Sequence, residues 1–233
     1  GTDDAAKPAP RGERYVRPRM GPRDVPAAAW PAEPTLGVPL LDPAMQAAPL
    51  DLPLVRWGRA RRKSRMRGTW HFYTDDKKFN GLWSRPWDVV NSGCVGAIEP
   101  NFSIHATSPR AVAVWAIYRK RTLARLWQSF GVRVCVDLCV PAEHRDLALL
   151  GVPGGWRSYA TRSADAPLLE HDYMRAMLHA SPGAPGPRPS PYFAVYGGGA
   201  RTRDLCAANR WVWFAEESDV ARGRYEDGPH GSW

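Results

Sequence analysis

A chain of 233 residues with an apolar fraction of 44% can bury the core of one sizeable domain and still carry tails. Its formal net charge of +9 is uneven, because residues 1–68 hold 13 Lys/Arg against 7 Asp/Glu while residues 69–233 hold 19 against 16. No apolar run approaches the ~18 residues of a membrane span, and no secretory segment is evident. The four cysteines form no CxxC pair. We therefore expect a cytoplasmic protein with reduced thiols and no membrane partner.

Residues 1–67 are predicted to form a basic arm ahead of the folded domain. Residues 1–55 hold 11 prolines and little periodicity, so they are expected to be disordered. Residues 56–67, called the basic strip below, hold seven cations and no acid. This pattern is typical of a nucleic-acid contact and also of a solvated linker. The candidate nucleic-acid-binding residues are Arg59, Arg61, Arg62, Lys63, Arg65 and Arg67, with DNA or RNA as the expected partner.

From Gly68 onward, short strand patterns alternate with helical patterns. Strands are predicted at residues 70–73, 96–104, 132–140, 158–161, 192–196 and 211–215, and helices at 110–130, 168–180 and 202–209. The alternation favours an α/β domain over residues 68–216, with a mostly parallel sheet of five or six strands and flanking helices. The apolar run from Val132 to Val140 is typical of a central strand covered on both faces. Residues 217–233 are predicted to be a polar tail.

The helix predicted from Arg110 to Phe130 carries the clearest periodicity. Ser108 suits an N-cap before a proline at the first helical position. The predicted apolar face consists of Val112, Trp115, Leu123, Leu126 and Phe130. Arg119 shares that face, so its guanidinium requires a buried carboxylate or reaches a site beyond the helix. Lys120 and Arg121 are expected on a solvated face.

Six short motifs occur in order between residues 68 and 216. They are His71-Phe-Tyr-Thr-Asp-Asp76, Glu99-Pro-Asn-Phe-Ser103, Trp115-Ala-Ile-Tyr-Arg-Lys-Arg121, Gly131-Val-Arg-Val134, Gly151-Val-Pro153 and Val195-Tyr-Gly197. In these motifs the chain resembles the domain of unknown function family numbered 4417, found in bacteria, their phages and mobile elements. The resemblance implies a mobile-element setting and assigns no reaction.

In parallel α/β sheets, ligand sites form beyond the carboxyl ends of the strands. The candidate catalytic residues at these positions are Asp75, Asp76, Glu99, Asn101 and Asp137, together with Arg119 from the helix. Asp76, Glu99 and Asp137 offer the carboxylates that Mg²⁺ or Mn²⁺ prefer, and such a metal would activate water against a phosphodiester. Asp also commonly ends strands and begins turns. The alternative is therefore a structural rim in which Arg119 or Arg162 neutralises the carboxylates.

A glycine turn follows the strand predicted at residues 192–196. Gly197, Gly198 and Gly199 precede a helix start, so their backbone N–H groups and the Arg201 side chain are candidates to bind phosphate. The spacing of a P-loop is absent, and a tight turn without a ligand explains the glycines equally well.

Three functions follow from these features. The first is a nucleic-acid-associated protein of a mobile element, as a metal-dependent phosphodiesterase or a replication factor. The second is an enzyme acting on a small phosphorylated or nucleotide substrate. The third is a non-catalytic binding or regulatory module, which a rim of cation-paired carboxylates would favour.

Overall fold

The structure is a computed structural model that describes residues 30–58, 66–183 and 190–231. Eight strands are described: β1 Leu54–Arg56, β2 Thr69–His71, β3 Gly96–Ile98, β4 Arg133–Asp137, β5 Ser158–Thr161, β6 Tyr192–Tyr196, β7 Val212–Phe214 and β8 Pro229–His230. Five α-helices accompany them: α1 Trp87–Asn91, α2 Arg110–Ser129, α3 Ala166–Ala180, α4 Gly199–Asn209 and α5 Glu217–Ala221. Single 3-10 turns lie at Asp76–Lys78, Asn80–Trp83 and Ala142–Leu147. No described helix is long and apolar enough to cross a bilayer.

The eight strands form one sheet in which their spatial order is their order along the chain. Strands β1 to β7 are parallel, and β8 pairs antiparallel with β7. The sheet curls, because Arg56 at the end of β1 reaches Glu217, which follows β7. The carboxyl ends of all seven parallel strands therefore surround one mouth.

Alternation along the strands separates an inner core from an outer one. The inner core contains Ile98, Cys135, Ala160, Tyr196 and Phe214, which come from five successive strands. The alternate side chains of the same strands face the helices and form the outer core. This second layer explains why β4 is apolar almost throughout, and the prediction of a central strand covered on both faces is confirmed.

The strand count differs from the predicted five or six because both flanks of the predicted domain join the sheet. Strand β1 comes from the predicted arm, and β8 comes from the predicted polar tail, which also forms α5. The sheet thus extends across the boundaries predicted at residues 67/68 and 216/217.

Residues 30–58 are packed, in contrast to the disorder predicted for residues 1–55. The amide of Ala47 donates to the carbonyl of Val134, and the amide of Val134 donates to the carbonyl of Met45. Because β5 begins to pair with β4 only at Val136, this segment satisfies backbone groups of β4 that would otherwise lack partners. Ala47 is fully buried. Residues 1–29, to which the prediction also applied, lie outside the described residues.

Helix α2 turns a different face to the core than the one predicted. Val112 and Trp115 are exposed, whereas Lys120 and Arg121 are buried. The N-cap is Pro109, and the Ser108 hydroxyl instead accepts from the amide of His105. The prediction failed because apolar spacing alone did not reveal that the core would supply partners for two cations.

Candidate functional site at the carboxyl ends of the strands

The carboxylate of Asp137 accepts three hydrogen bonds in the buried half of the mouth. Its Oδ1 accepts hydrogen bonds from the Tyr73 hydroxyl at 3.1 Å and from the amide of Cys139 at 3.2 Å. Its Oδ2 accepts from the Lys120 ammonium at 2.8 Å. All of Asp137 and nearly all of the Lys120 side chain are buried. Burial, followed by the Asp137 charge, raises the pKa of Tyr73 well above its usual range, so this phenol stays protonated and continues to donate.

Glu99 forms a second buried ion pair one strand away. Its Oε2 accepts from the Arg121 guanidinium and from the amide of Asp137. Two backbone carbonyls, those of Ala148 and Leu150, accept the remaining Arg121 donors. The other carboxylate oxygen, Oε1, is buried and has no hydrogen-bond partner among the described residues. The structure thus brings Glu99 and Asp137 together, as predicted, but pairs each with a cation.

These cations are not the ones predicted. Arg119 lies over the ring of Phe102, with its guanidinium carbon 4.0 Å from the ring centroid. Burial lowers the pKa of Arg119, and the Asp76 charge partly opposes that shift. Arg162 pairs with Glu216 at 3.0 Å on the other side of the mouth. Lys120 and Arg121, which were expected in solvent, neutralise the rim carboxylates instead.

The predicted metal site does not fit the residues present. No group of three or more His, Cys, Asp or Glu side chains able to hold a metal lies within residues 30–58, 66–183 and 190–231. Asp76 is instead engaged by Ser103, whose amide and hydroxyl both donate to its carboxylate. Asp75 is exposed and accepts from the amide of Lys77, which makes it a turn-capping residue. Asn101 is half-buried just after β3.

Three aromatic rings in mutual contact line the mouth beside this network. The ring centroid of His71 lies 4.4 Å from that of Tyr196, and the rings of Tyr73 and Tyr196 stack at 5.4 Å. The Nδ1 of His71 accepts from the amide of Tyr73, and its buried Nε2 has no partner among the described residues. Burial, aided by the charges of Arg56 and Arg162, lowers the pKa of His71 to about 3. The imidazole is therefore neutral at physiological pH.

The opposite side of the mouth is open. Arg56 pairs with Glu217 at 3.2 Å, with side-chain exposures of 43% and 16%. Between β1 on one side and β7, α5 and the approach to β8 on the other lies a cleft of about 340 Å³. We call it the seam cleft; its walls include Leu54, Val55, Tyr196, Phe214, Val220 and Asp227.

Backbone conformation and close packing explain why glycines occupy this turn. Gly197 to Gly199 all have positive φ. A Cβ on Gly197 would lie 2.7 Å from the Glu216 carboxylate, and a Cβ on Gly198 would lie 2.3 Å from the Thr202 hydroxyl. Arg201 is exposed. Phosphate binding here stays a prediction, and the nearby carboxylate of Glu216 opposes it electrostatically.

The basic strip begins at the same edge of the sheet as the mouth. Residues 59–65, and with them five of the six predicted nucleic-acid contacts, lie outside the described residues, whereas Arg67 is described and exposed. Gly58, the last described residue before the gap, follows the carboxyl end of β1. A Cβ placed on it would lie 3.8 Å from the Cβ of Lys78. Lys77 and Lys78 are exposed and form no ion pair with any described residue.

Sequence reasoning missed most of the buried groups of the mouth. A lone histidine beside aromatic residues is typical of a core, so the sequence predicts no site role for His71. Tyr73 and Tyr196 are predicted only as strand residues. Strand alternation, counted inward from the carboxyl end of β2, would have placed His71 and Tyr73 on the inner face. No comparable sequence signal marks Asp172, which lies on α3 and accepts from the Thr161 hydroxyl at 3.2 Å.

Comparisons with known proteins show similarity to one family of unknown function and to two phage proteins. A family model described as a domain of unknown function, DUF4417, matches residues 30–159. The Gene 1 protein of Mycobacterium phage D29 is 37% identical over 91 residues, which cover 38% of this chain and 34% of that protein. The Gene 1 protein of Mycobacterium phage L5 is 32% identical over 91 residues, covering 38% and 40%. The match thus spans well under half of each relative. No solved structure matches.

Proposed function

The chain belongs to the DUF4417 family, with relatives in mycobacteriophages, and from this premise we propose that it is a nucleic-acid-binding protein of a phage or other mobile element. The observation that carries the proposal is the position of Lys78 against Gly58, where the basic strip leaves the described fold. The chain therefore enters the strip beside two exposed lysines, Lys77 and Lys78, of the 3-10 turn after β2. Nucleic acid is the polyanion for which a surface with these cations is suited.

The charges of this surface are available to phosphates. Around the mouth, Arg56, Lys120, Arg121 and Arg162 already bind protein carboxylates. Lys77 and Lys78 have no such partner among the described residues, and residues 57–67 contain no acid that could neutralise the strip internally. Binding through this surface would be sequence-independent, because it engages phosphates and no base edges.

The ion pairs of Glu99 and Asp137 favour a binding role over metal-dependent phosphodiester cleavage. Glu99 and Asp137 would have to release Arg121 and Lys120 before they could share a metal. Leaving those cations buried without a carboxylate would carry a large desolvation cost. A part in replication stays a prediction on which the geometry does not bear.

The test is the salt dependence of binding to a labelled 20-nucleotide single strand. For about five neutralised phosphates on a single strand, the wild-type log–log slope should be near −3.5. Replacing Arg61, Arg62, Lys63 and Arg65 by Ala should weaken binding to all sequences alike. The Lys77→Ala/Lys78→Ala double variant should make the slope shallower by about 1.5. The matched control is Arg157→Ala/Arg210→Ala, which removes two cations at the amino ends of β5 and β7 and should change nothing. Equal effects of both double variants would contradict the proposal.

A second candidate is an enzyme for a small phosphorylated or nucleotide substrate. The observation that favours it is the neutral, unpartnered Nε2 of His71 beside the Tyr73–Asp137–Lys120 network, at the edge where α/β enzymes place their chemistry. Turnover of a nucleotide panel by the wild type, lost in both His71→Asn and Tyr73→Phe while their melting temperatures stay near wild type, would establish it. No turnover by the wild type would remove it.

A further inference from the structure

The seam cleft combines apolar walls with one available carboxylate. Leu54, Val55, Tyr196, Phe214 and Val220 supply the apolar and aromatic surface. Its volume of about 340 Å³ is at the lower end of the range of roughly 300–1,000 Å³ that small-molecule sites occupy, so it suits a single ring system.

Both acidic side chains at the cleft can accept hydrogen bonds. Asp227 is exposed at the cleft and has no hydrogen bond or ion pair with any described residue. The second acid of the cleft, Glu217, is held by the backbone amide and guanidinium of Arg56. A ligand that fits is therefore a flat, uncharged ring that carries N–H donors along one edge.

The cleft is continuous with the proposed nucleic-acid surface. Leu54 and Val55 line it from β1, and the basic strip begins at the next residue, Arg56. A nucleotide whose base occupies the cleft would thus have its phosphate near Arg56, the first residue of the strip. Unstacked bases are commonly bound in this way, against aromatic side chains and through their Watson–Crick edges.

We propose that the seam cleft binds a nucleobase, with guanine preferred because its ring N–H and exocyclic amine can donate together to the Asp227 carboxylate. Two parallel N–H donors on one carboxylate form the same bidentate arrangement that makes arginine–carboxylate pairs specific. Adenine, cytosine and uracil each present a donor from only one nitrogen on the corresponding edge. The inference rests on the proposed function and adds a base-specific contact to the sequence-independent phosphate contacts proposed for the strip.

The first experiment measures binding of guanosine and of inosine, which lacks the exocyclic amine, by ligand-observed NMR titration of the full chain. Guanosine should bind saturably and about fivefold more tightly than inosine, because one charge-assisted hydrogen bond separates them. Ala221→Trp fills the cleft from its exposed rim and should weaken guanosine binding about tenfold or more. Ser218→Trp places the same side chain elsewhere on α5, where it does not line the cleft, and should leave binding within twofold. Asp227→Asn should abolish the preference for guanosine over inosine.

A second experiment identifies the source of the base and separates the two proposals. A 12-nucleotide oligothymidylate with one central guanine, compared with plain oligothymidylate, should bind more tightly to the wild type and equally to Ala221→Trp. Guanosine binding that is unchanged in Ala221→Trp, or absent in the wild type, overturns the cleft inference while leaving strip-dependent binding intact. Guanosine binding at the cleft without any oligonucleotide binding overturns the proposed function and assigns the cleft to free nucleotides.

Discussion

Two parts of the same sheet edge differ in how deeply their ion pairs are buried. After β3 and β4, Glu99 and Asp137 are paired with Arg121 and Lys120, and all four side chains are at most 1% exposed. Across the mouth, the Arg56–Glu217 and Arg162–Glu216 pairs have cations that are each 43% exposed. The residue types are similar, yet water reaches only the second group. The buried part is therefore suited to a permanent structural role, and the open part can exchange partners.

The physical difference is the cost of breaking a pair. When one partner of a buried ion pair is removed, the other is left charged in a poorly solvated place. When an exposed pair is broken, water solvates both groups at little cost. Ligand binding on this protein is accordingly expected on the seam side of the mouth, where the seam cleft lies and the basic strip begins.

The largest expected effect is the loss of a buried pair. Glu99→Gln should lower the free energy of unfolding by about 3–5 kcal/mol, because Arg121 keeps its charge and loses the only carboxylate that binds it in the described part of the chain. Urea denaturation with an unchanged m-value would measure this loss. A change below 1 kcal/mol would mean that the two carbonyls bound to Arg121 suffice, and the contrast between the two parts of the edge would fail.

Asp172 extends the comparison to a buried carboxylate that has no ion pair among the described residues. Burial raises its pKa from 3.8 to about 7, with the Thr161 hydroxyl opposing the shift. Between pH 3.8 and pH 7 the folded state therefore keeps a proton on Asp172 that the unfolded state has released. The stability contributed by protonated Asp172 is full below pH 3.8 and is lost as the pH rises through 7. The stability gain of Asp172→Asn over the wild type should therefore be larger at pH 8.5 than at pH 5 by about 2–3 kcal/mol. Melting curves of both proteins at the two pH values provide the test.

Comparing variant with wild type at each pH is necessary because His71 acts in the opposite direction. Its folded-state pKa of about 3 lies below the ordinary 6.5, so its contribution is present above pH 6.5 and is lost as pH falls toward 3. That contribution is common to both proteins and cancels in the difference. An Asp172→Asn effect of equal size at pH 5 and pH 8.5 would contradict the assigned pKa.

The smallest expected effect belongs to the open side. Glu217→Gln should cost about 1 kcal/mol at low ionic strength, because the Arg56 guanidinium is partly solvated and Gln can still accept the Arg56 amide. In 1 M salt the difference should shrink further, whereas the loss in Glu99→Gln should persist. Thermal melts of the two variants at both salt concentrations measure the contrast directly, and equal salt sensitivity would contradict it.

Local sequence patterns determined where several of the strands of this protein form. The β5 and β6 predictions agree with the structure residue for residue, and Val132–Val140 contains the central strand β4, because propensity and turn residues act over a few neighbours. The same local reasoning placed Glu99 and Asp137 at the carboxyl ends of adjacent parallel strands, where they meet.

Only the tertiary structure decided which charges would be buried and which segments would join the sheet. Lys120 and Arg121 are drawn into the core by carboxylates 17 and 22 residues away in sequence, a pairing that helical spacing does not encode. The proline-rich residues 30–58 have no periodicity of their own. They pack on the domain because their backbone forms hydrogen bonds with groups of β4 that would otherwise lack partners. In each case the partner lies far along the chain and reaches the residue only when helix α2 and residues 45–47 pack against β3 and β4.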